Sequence, residues 1–195
     1  MSTTSCTRGF TLIELLAVTA VMTLLTGVIL SNNAKFGGVI TLRNLAYDIA
    51  LTFREAQTYG ISVRKFGSGS GSFGAGYGVH ARIASPTSYI LFADVDGDGH
   101  YGGCLTEVGC ELSESLTIQR GFFIKDICAT PVGGSEACGQ TKLDVVFKRP
   151  EPDAEIRIND GAALYERAHL LVSSPRGDEA RVLIEATGQI SIDSQ

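Results

Sequence analysis

The order of apolar and polar positions divides the chain into three stretches with different periods. Residues 10–30 are uncharged except for Glu14, and these 21 residues match the length of about 20 that a helix needs to cross the hydrocarbon core of a bilayer. Past Gly37-Gly38 the pattern becomes one-sided. Val39, Leu42, Ala46, Ile49, Phe53 and Ala56 recur at three- and four-residue steps, Leu45 widens the stripe, and Arg43, Asp48, Arg54 and Glu55 take the other faces. Tyr59-Gly60 is the stop signal. Together the two stretches predict one helix of about 50 residues, its first half in a membrane and its second half packed on a sheet. Two adjacent glycines cost a helix about 2 kcal/mol relative to alanine, which predicts a kink or a melted turn at Gly37-Gly38.

Beyond Gly60 the period falls to two. Ile61-Ser62-Val63-Arg64-Lys65-Phe66 alternates and reads as a strand, and 67–76 is too rich in Gly and Ser for regular structure. No Gly-Lys-Ser/Thr follows those glycines, so they make no phosphate cradle. Residues 77–83 and 88–95 read as two strands joined around Ser85-Pro86, and 116–118 with 122–127 as another pair. Further strands are predicted at 142–147, 154–158, 169–173, 180–185 and 189–192, with Ala186-Thr187-Gly188 as the last turn. A long helix followed by strands alone is an α+β arrangement in which the helix covers antiparallel sheet. The chain therefore divides into a leader (1–9), a membrane helix (10–31), an amphipathic helix continuing into the globular part (32–60), and a β-rich domain (61–195).

Composition and charge narrow the setting. The net charge is −5, which argues against broad attraction to nucleic acid or anionic lipid, and loss of a leader carrying Arg8 makes it one unit more negative. The short polar N-terminus is a targeting segment, and Leu30-Ser31-Asn32-Asn33-Ala34 is a poor site for ordinary signal cleavage. The large domain behind the apolar run favours a cytoplasmic N-terminus and an extracytoplasmic domain. Of five cysteines, Cys6 stands alone in the leader, and Cys104, Cys110, Cys128 and Cys138 form an even set suited to disulfides in an oxidising compartment. Three pairings are open. Local closure, Cys104 with Cys110 and Cys128 with Cys138, brackets a short glycine-containing loop in each case. There is no CxxC and the three histidines are scattered, so no zinc pattern is legible.

Gly9-Phe10-Thr11-Leu12-Ile13-Glu14 resembles the prepilin signature of type IV pilins and of the pseudopilins of type II secretion. The resemblance implies that an aspartyl membrane peptidase cuts after Gly9 and methylates the new amine of Phe10. It implies that Glu14 neutralises a neighbouring subunit's N-terminal amine during assembly. An ionisable group inside a membrane helix costs several kcal/mol unless paired, which independently demands a partner for Glu14. The stretches 42–50, 59–63 and 89–99, with Thr187-Gly188-Gln189-Ile190, are similar to the minor pilin and minor pseudopilin group that includes GspH and FimT. The fold so implied is type IV pilin-like. The implied partners are other pilins in a filament, the prepilin peptidase, an inner-membrane assembly platform and the bilayer. In the FimT-like alternative, Arg176 and Arg181 contact DNA during uptake, against the nearby charges of Asp178, Glu179, Glu185 and Asp193.

Asp94-x-Asp96-x-Asp98-Gly99 carries the second chemical pattern. Alternate carboxylates before a glycine form the first half of an EF-hand-type loop, but Leu105 stands where the bidentate Glu belongs. Glu107 or Glu111 can close such a site from a longer loop, which leaves two readings open, a structural calcium ion or an Asp/Gly turn bonded to its own backbone. No other cofactor is required. No nucleophile elbow or paired metal motif is present in the sequence, so no enzyme is expected.

Overall fold

A computed structural model describes residues 9–62, 64–66, 74–104 and 110–194, with the side chains of 31–37 and 194 left aside. The long helix is α1 (Leu12–Ile61). Its backbone is helical through Gly37-Gly38, so the melted turn expected there does not form. Two compact units divide at that point, 1–38 and 39–195.

In the first unit, Leu12–Leu30 has a mean hydropathy of 2.2 and none of it is buried by protein, so its apolar surface requires a lipid or protein environment that this chain alone does not supply. In the second unit the predicted stripe holds from Leu42 onward: Leu42, Ala46, Ile49, Phe53 and Ala56 are buried and Ala50 joins them, while Val39 is exposed and Leu45 half-buried.

The strands are β1 (Gly76–Arg82), β2 (Ser88–Asp94), β3 (Leu112–Thr117), β4 (Phe123–Pro131), β5 (Lys142–Phe147), β6 (Ala154–Ile158), β7 (Tyr165–Ser173), β8 (Glu179–Glu185) and β9 (Ile190–Ser194). They make a five-stranded sheet in the order β3-β2-β1-β5-β6 and a four-stranded sheet in the order β4-β7-β8-β9, all antiparallel. Period-two alternation sends Tyr77, Val79, Leu91, Val145 and Ile156 of the first sheet, and Ile127, Leu170, Val182 and Ile184 of the second, into one cluster shared with α1. The helix is also tied by polar bonds, with Gln57 Nε2 donating to the carbonyls of Pro152 (2.9 Å) and Gly188 (3.0 Å).

Two strand expectations fail. The stretch after Gly60 is no strand: α1 runs on to Ile61, Ser62 N–H donates to Thr58 O, and residues 64–66 are irregular. The Arg64 guanidinium stacks over the Tyr59 ring at 3.6 Å, which turns this segment back onto the helix. Val63 and the loop residues 67–73 lie outside the described residues. Nor do the segments around 116–118 and 122–127 pair with each other. β3 adds to β2, whereas the nine-residue β4 finds a partner of equal length in β7, so the chain changes sheet through the left-handed turn at Arg120-Gly121.

Gly60 is a packing residue as well as a stop signal, because a Cβ there would lie 2.2 Å from the Phe147 carbonyl oxygen of β5. In an open helix Gly→Ala gains about 1 kcal/mol. Here the overlap reverses the sign, and Gly60→Ala is expected to lose a net 1–2 kcal/mol, or about that, in urea unfolding of the full chain in detergent. An unchanged or raised stability would show that the helix can lift from β5 without cost.

Candidate functional sites

The first site is the start of α1. Thr11 is the last residue before the helix, its carbonyl accepts the first helical bond from Leu15 N–H (3.1 Å), and its Oγ1 accepts from Glu14 N–H (3.3 Å). The Thr11 hydroxyl lies 3.4 Å from Glu14 Oε2. Thr-x-x-Glu in this place is a capping arrangement, and an acid in the first turn also meets the positive end of the helix dipole. The Thr11–Glu14 spacing signals this in the sequence, yet the expectation for Glu14 concerned only a neighbour's amine. Gly9 and Phe10 precede the helix and are exposed. Arg8 and the rest of the leader lie outside the described residues.

The second site is the segment between β2 and β3, laid across the outer face of the five-stranded sheet. His80 and Asp144 face each other on β1 and β5, both buried, with His80 Nδ1 2.7 Å from Asp144 Oδ1. His100 of the loop approaches Asp144 Oδ2 at 3.4 Å, Tyr101 N–H donates to Oδ1 at 3.3 Å, and the Tyr101 ring covers His80 and Phe92 at 5.1 and 5.5 Å. Two histidines that are distant in sequence therefore share one carboxylate. They are satisfied structural groups.

At the base of the same loop Asp94, Asp96 and Glu111 converge to within 4.8 Å. Asp94 and Glu111 are buried. Asp98 is turned away from them and accepts from His100 N–H (2.7 Å), so the alternate-carboxylate pattern supplies two of its three acids. Glu107 lies outside the described residues; Glu111 is the acid that closes the group. Its two oxygens accept from Val95 N–H (3.2 Å) and Gly102 N–H (2.7 Å). Burial pushes its carboxyl above the ordinary 4.5, the two amides pull it back, and Asp96 and Asp94 add to the rise. Asp94 Oδ1 accepts from Gly97 N–H; Oδ2 has no hydrogen bond of good angle, and its counter-charge is Lys148 Nζ at 2.8 Å.

Lys148 also donates to the Gly97 carbonyl (3.3 Å) and reaches Glu155 (3.5 Å), which in turn holds Arg157 (2.7 Å). Gly99 sits at φ +81°, a left-handed backbone that favours glycine, and packs against the Arg157 guanidinium. The disulfide Cys104–Cys110 closes the far side of the loop, and Cys128–Cys138 ties β4 to the segment before β5, which is the local pairing expected.

Arg176 lies in the turn between β7 and β8, and Arg181 lies on β8 in register with Asp193 of β9. Lys125 pairs with Glu179 on the same hairpin, so the basic residues there are interleaved with acids.

The prokaryotic N-terminal methylation motif matches residues 4–30 of this chain. The comparisons with curated proteins and with solved structures return no match. The motif, followed by an apolar helix and antiparallel sheets, makes the chain type IV pilin-like in signature and layout. It is the signature of a structural subunit rather than an enzyme, and it implies a membrane-anchored precursor, processing by prepilin peptidase and assembly with other pilins.

Burial pushes the Glu155 carboxyl up, but the Arg157 guanidinium and the Lys148 ammonium outweigh it and hold the group below the ordinary 4.5. A carboxyl lowered on folding contributes stability that is present above the unfolded value and lost as pH falls through the folded one. Because this pair is partly exposed and screened, Glu155→Gln should cost about 0.2–1 kcal/mol at pH 7. The difference from the parent should shrink as pH falls below about 4.5 in denaturant titrations. An equal difference at pH 7 and pH 3 would refute the ion-pair account.

Proposed function

We propose that this chain is a minor pilin or minor pseudopilin, a subunit of a type IV pilus or type II secretion filament. It is inserted with its N-terminus in the cytoplasm and its globular part outside, cut between Gly9 and Phe10, and methylated on Phe10. The observation that carries the reading is the joint arrangement at the start of α1: an exposed Gly9–Phe10 bond, a capped first turn, and one carboxylate, Glu14, on an otherwise uncharged apolar helix.

Cutting at Gly9–Phe10 frees an amine beside the positive end of the helix dipole, where a cation is disfavoured. Glu14 is the acid nearest to that end, and a neighbour's amine offers it the full counter-charge that the Thr11 hydroxyl cannot. Within the second unit, Ile40, Tyr47 and Leu51 are more than half exposed at seven- and four-residue steps, away from the buried Leu42–Ala46–Ile49–Phe53 face. Such a stripe suits packing against another subunit.

Mass spectrometry of the chain from a host with an active peptidase should show a mature form beginning at N-methylated Phe10; an intact residue 1 or an unmethylated Phe10 counts against the proposal. Glu14→Ala should be processed and inserted normally, but leave a neighbour's amine unpaired at a cost of about 3–5 kcal/mol, reducing incorporation into filaments tenfold or more. Normal incorporation would remove Glu14 from the assembly step.

The calcium expectation has its own test. Calcium at Asp94, Asp96 and Glu111 competes with Lys148 for Asp94 and offsets the mutual repulsion of the three converging carboxylates. Calcium should then raise the melting temperature of the full chain in detergent relative to chelator, and Asp96→Asn should abolish the rise. Identical melting curves with calcium and chelator take the metal out of the account.

A further inference from the structure

The linear spacing that excludes a zinc pattern says nothing of what the sheet brings together. Cys128 on β4 stands directly opposite His169 on β7, and Cys138 returns beside them from the segment before β5. One ligand atom from each of the three lies within 4.8 Å of the others. Glu136, two residues before Cys138, reaches His169 Nδ1 at 3.2 Å. We propose that the reduced form of this chain binds one zinc ion at Cys128, Cys138 and His169, with the fourth position taken by Glu136 or a water, and that closing the Cys128–Cys138 disulfide expels the metal.

Two thiolates and an imidazole form a donor set that zinc prefers, with an open fourth position. The arrangement does not depend on the disulfide to exist. Ala129 and Ala137 exchange backbone bonds of 2.9 and 2.8 Å, Gln140 N–H donates to Ile127 O at 3.1 Å, and Gly139 N–H donates to Asp126 Oδ1 at 2.9 Å. These bonds hold Cys138 against β4 after reduction, so the ligands are pre-positioned. Cys128 and His169 are buried, whereas Cys138 is exposed and offers the sulfur through which exchange begins.

The chemistry balances as an exchange. The zinc-bound thiolates of Cys128 and Cys138 give one electron each to an incoming disulfide oxidant. The two sulfurs of this chain join, the oxidant takes two protons and leaves as two thiols, and Zn2+ departs without changing oxidation state. Metal and disulfide are thus alternative staples for the same hairpin, one for reducing conditions and one for oxidising conditions.

The test uses the full chain in detergent, reduced by a phosphine, which becomes phosphine oxide with oxygen from water while the two sulfurs take that water's protons. After removal of the phosphine the chain is titrated with Co2+ as a spectroscopic probe and then with Zn2+. The expected result is one ion per chain with thiolate-to-cobalt absorption, displaced by zinc, and a raised melting temperature for the reduced chain alone. Cys128→Ser or Cys138→Ser should abolish binding, and His169→Asn should weaken it at least tenfold. The double variant Cys104→Ser/Cys110→Ser should retain it. The His169 variant separates a folded site from thiols on an unfolded chain, which bind without regard to that histidine. No metal bound by the reduced chain, binding indifferent to His169, or equal binding by the oxidised chain would each overturn the proposal.

Discussion

A carboxylate near the start of a long apolar helix is the constraint on which the rest of this protein turns. Glu14 is the one acid in the exposed apolar run from Leu12 to Leu30, and an ionised group in that setting needs a counter-charge or a donor. Within the single chain it has the Thr11 hydroxyl and the positive end of the helix, which is a weak solution. The strong solution is a cation from elsewhere. Neither the sheets nor the loops of this chain are needed to see this; the demand is built into α1.

The globular unit answers a different demand, which is to bury the stripe of α1 that begins at Leu42. Two antiparallel sheets share that burden, and their inward faces join the helix in one cluster. The outward face of the five-stranded sheet is then covered locally by the loop after β2. A row of charges does the covering: Asp144 collects His80, His100 and the Tyr101 amide, Lys148 spans Asp94, Gly97 and Glu155, and Arg157 lies against Gly99. Each carboxylate buried under the loop has a named donor or cation, which is the condition for keeping such groups out of water. The two disulfides sit at the margins of this arrangement and close short loops that the backbone bonds already bring together.

The sequence alone determined the long helix, its apolar first half, its buried stripe, the period-two strands and the Gly9–Glu14 signature, because each is a local periodicity or a contiguous string. The strands 142–147 and 154–158 were legible to the residue, the first as a short β-branched, apolar run and the second as a clean alternation, each bounded by turn signals. Only the tertiary structure decided that β3 and β4 part into different sheets, since partner choice depends on which strand offers a matching length and face, and no local pattern encodes that. The same holds for the sites. Asp98 belongs to the sequence pattern but turns to the His100 amide, whereas Glu111 completes the carboxylate group from sixteen residues beyond Val95. His80 with Asp144, and Cys128 with His169, are far apart along the chain and adjacent because antiparallel register sets them opposite one another, while the loop after β2 brings in His100 and the segment before β5 brings in Cys138. Strings and periods are written along the chain; the pairing of distant side chains is settled by sheet register, and that is where the remaining chemistry of this protein is placed.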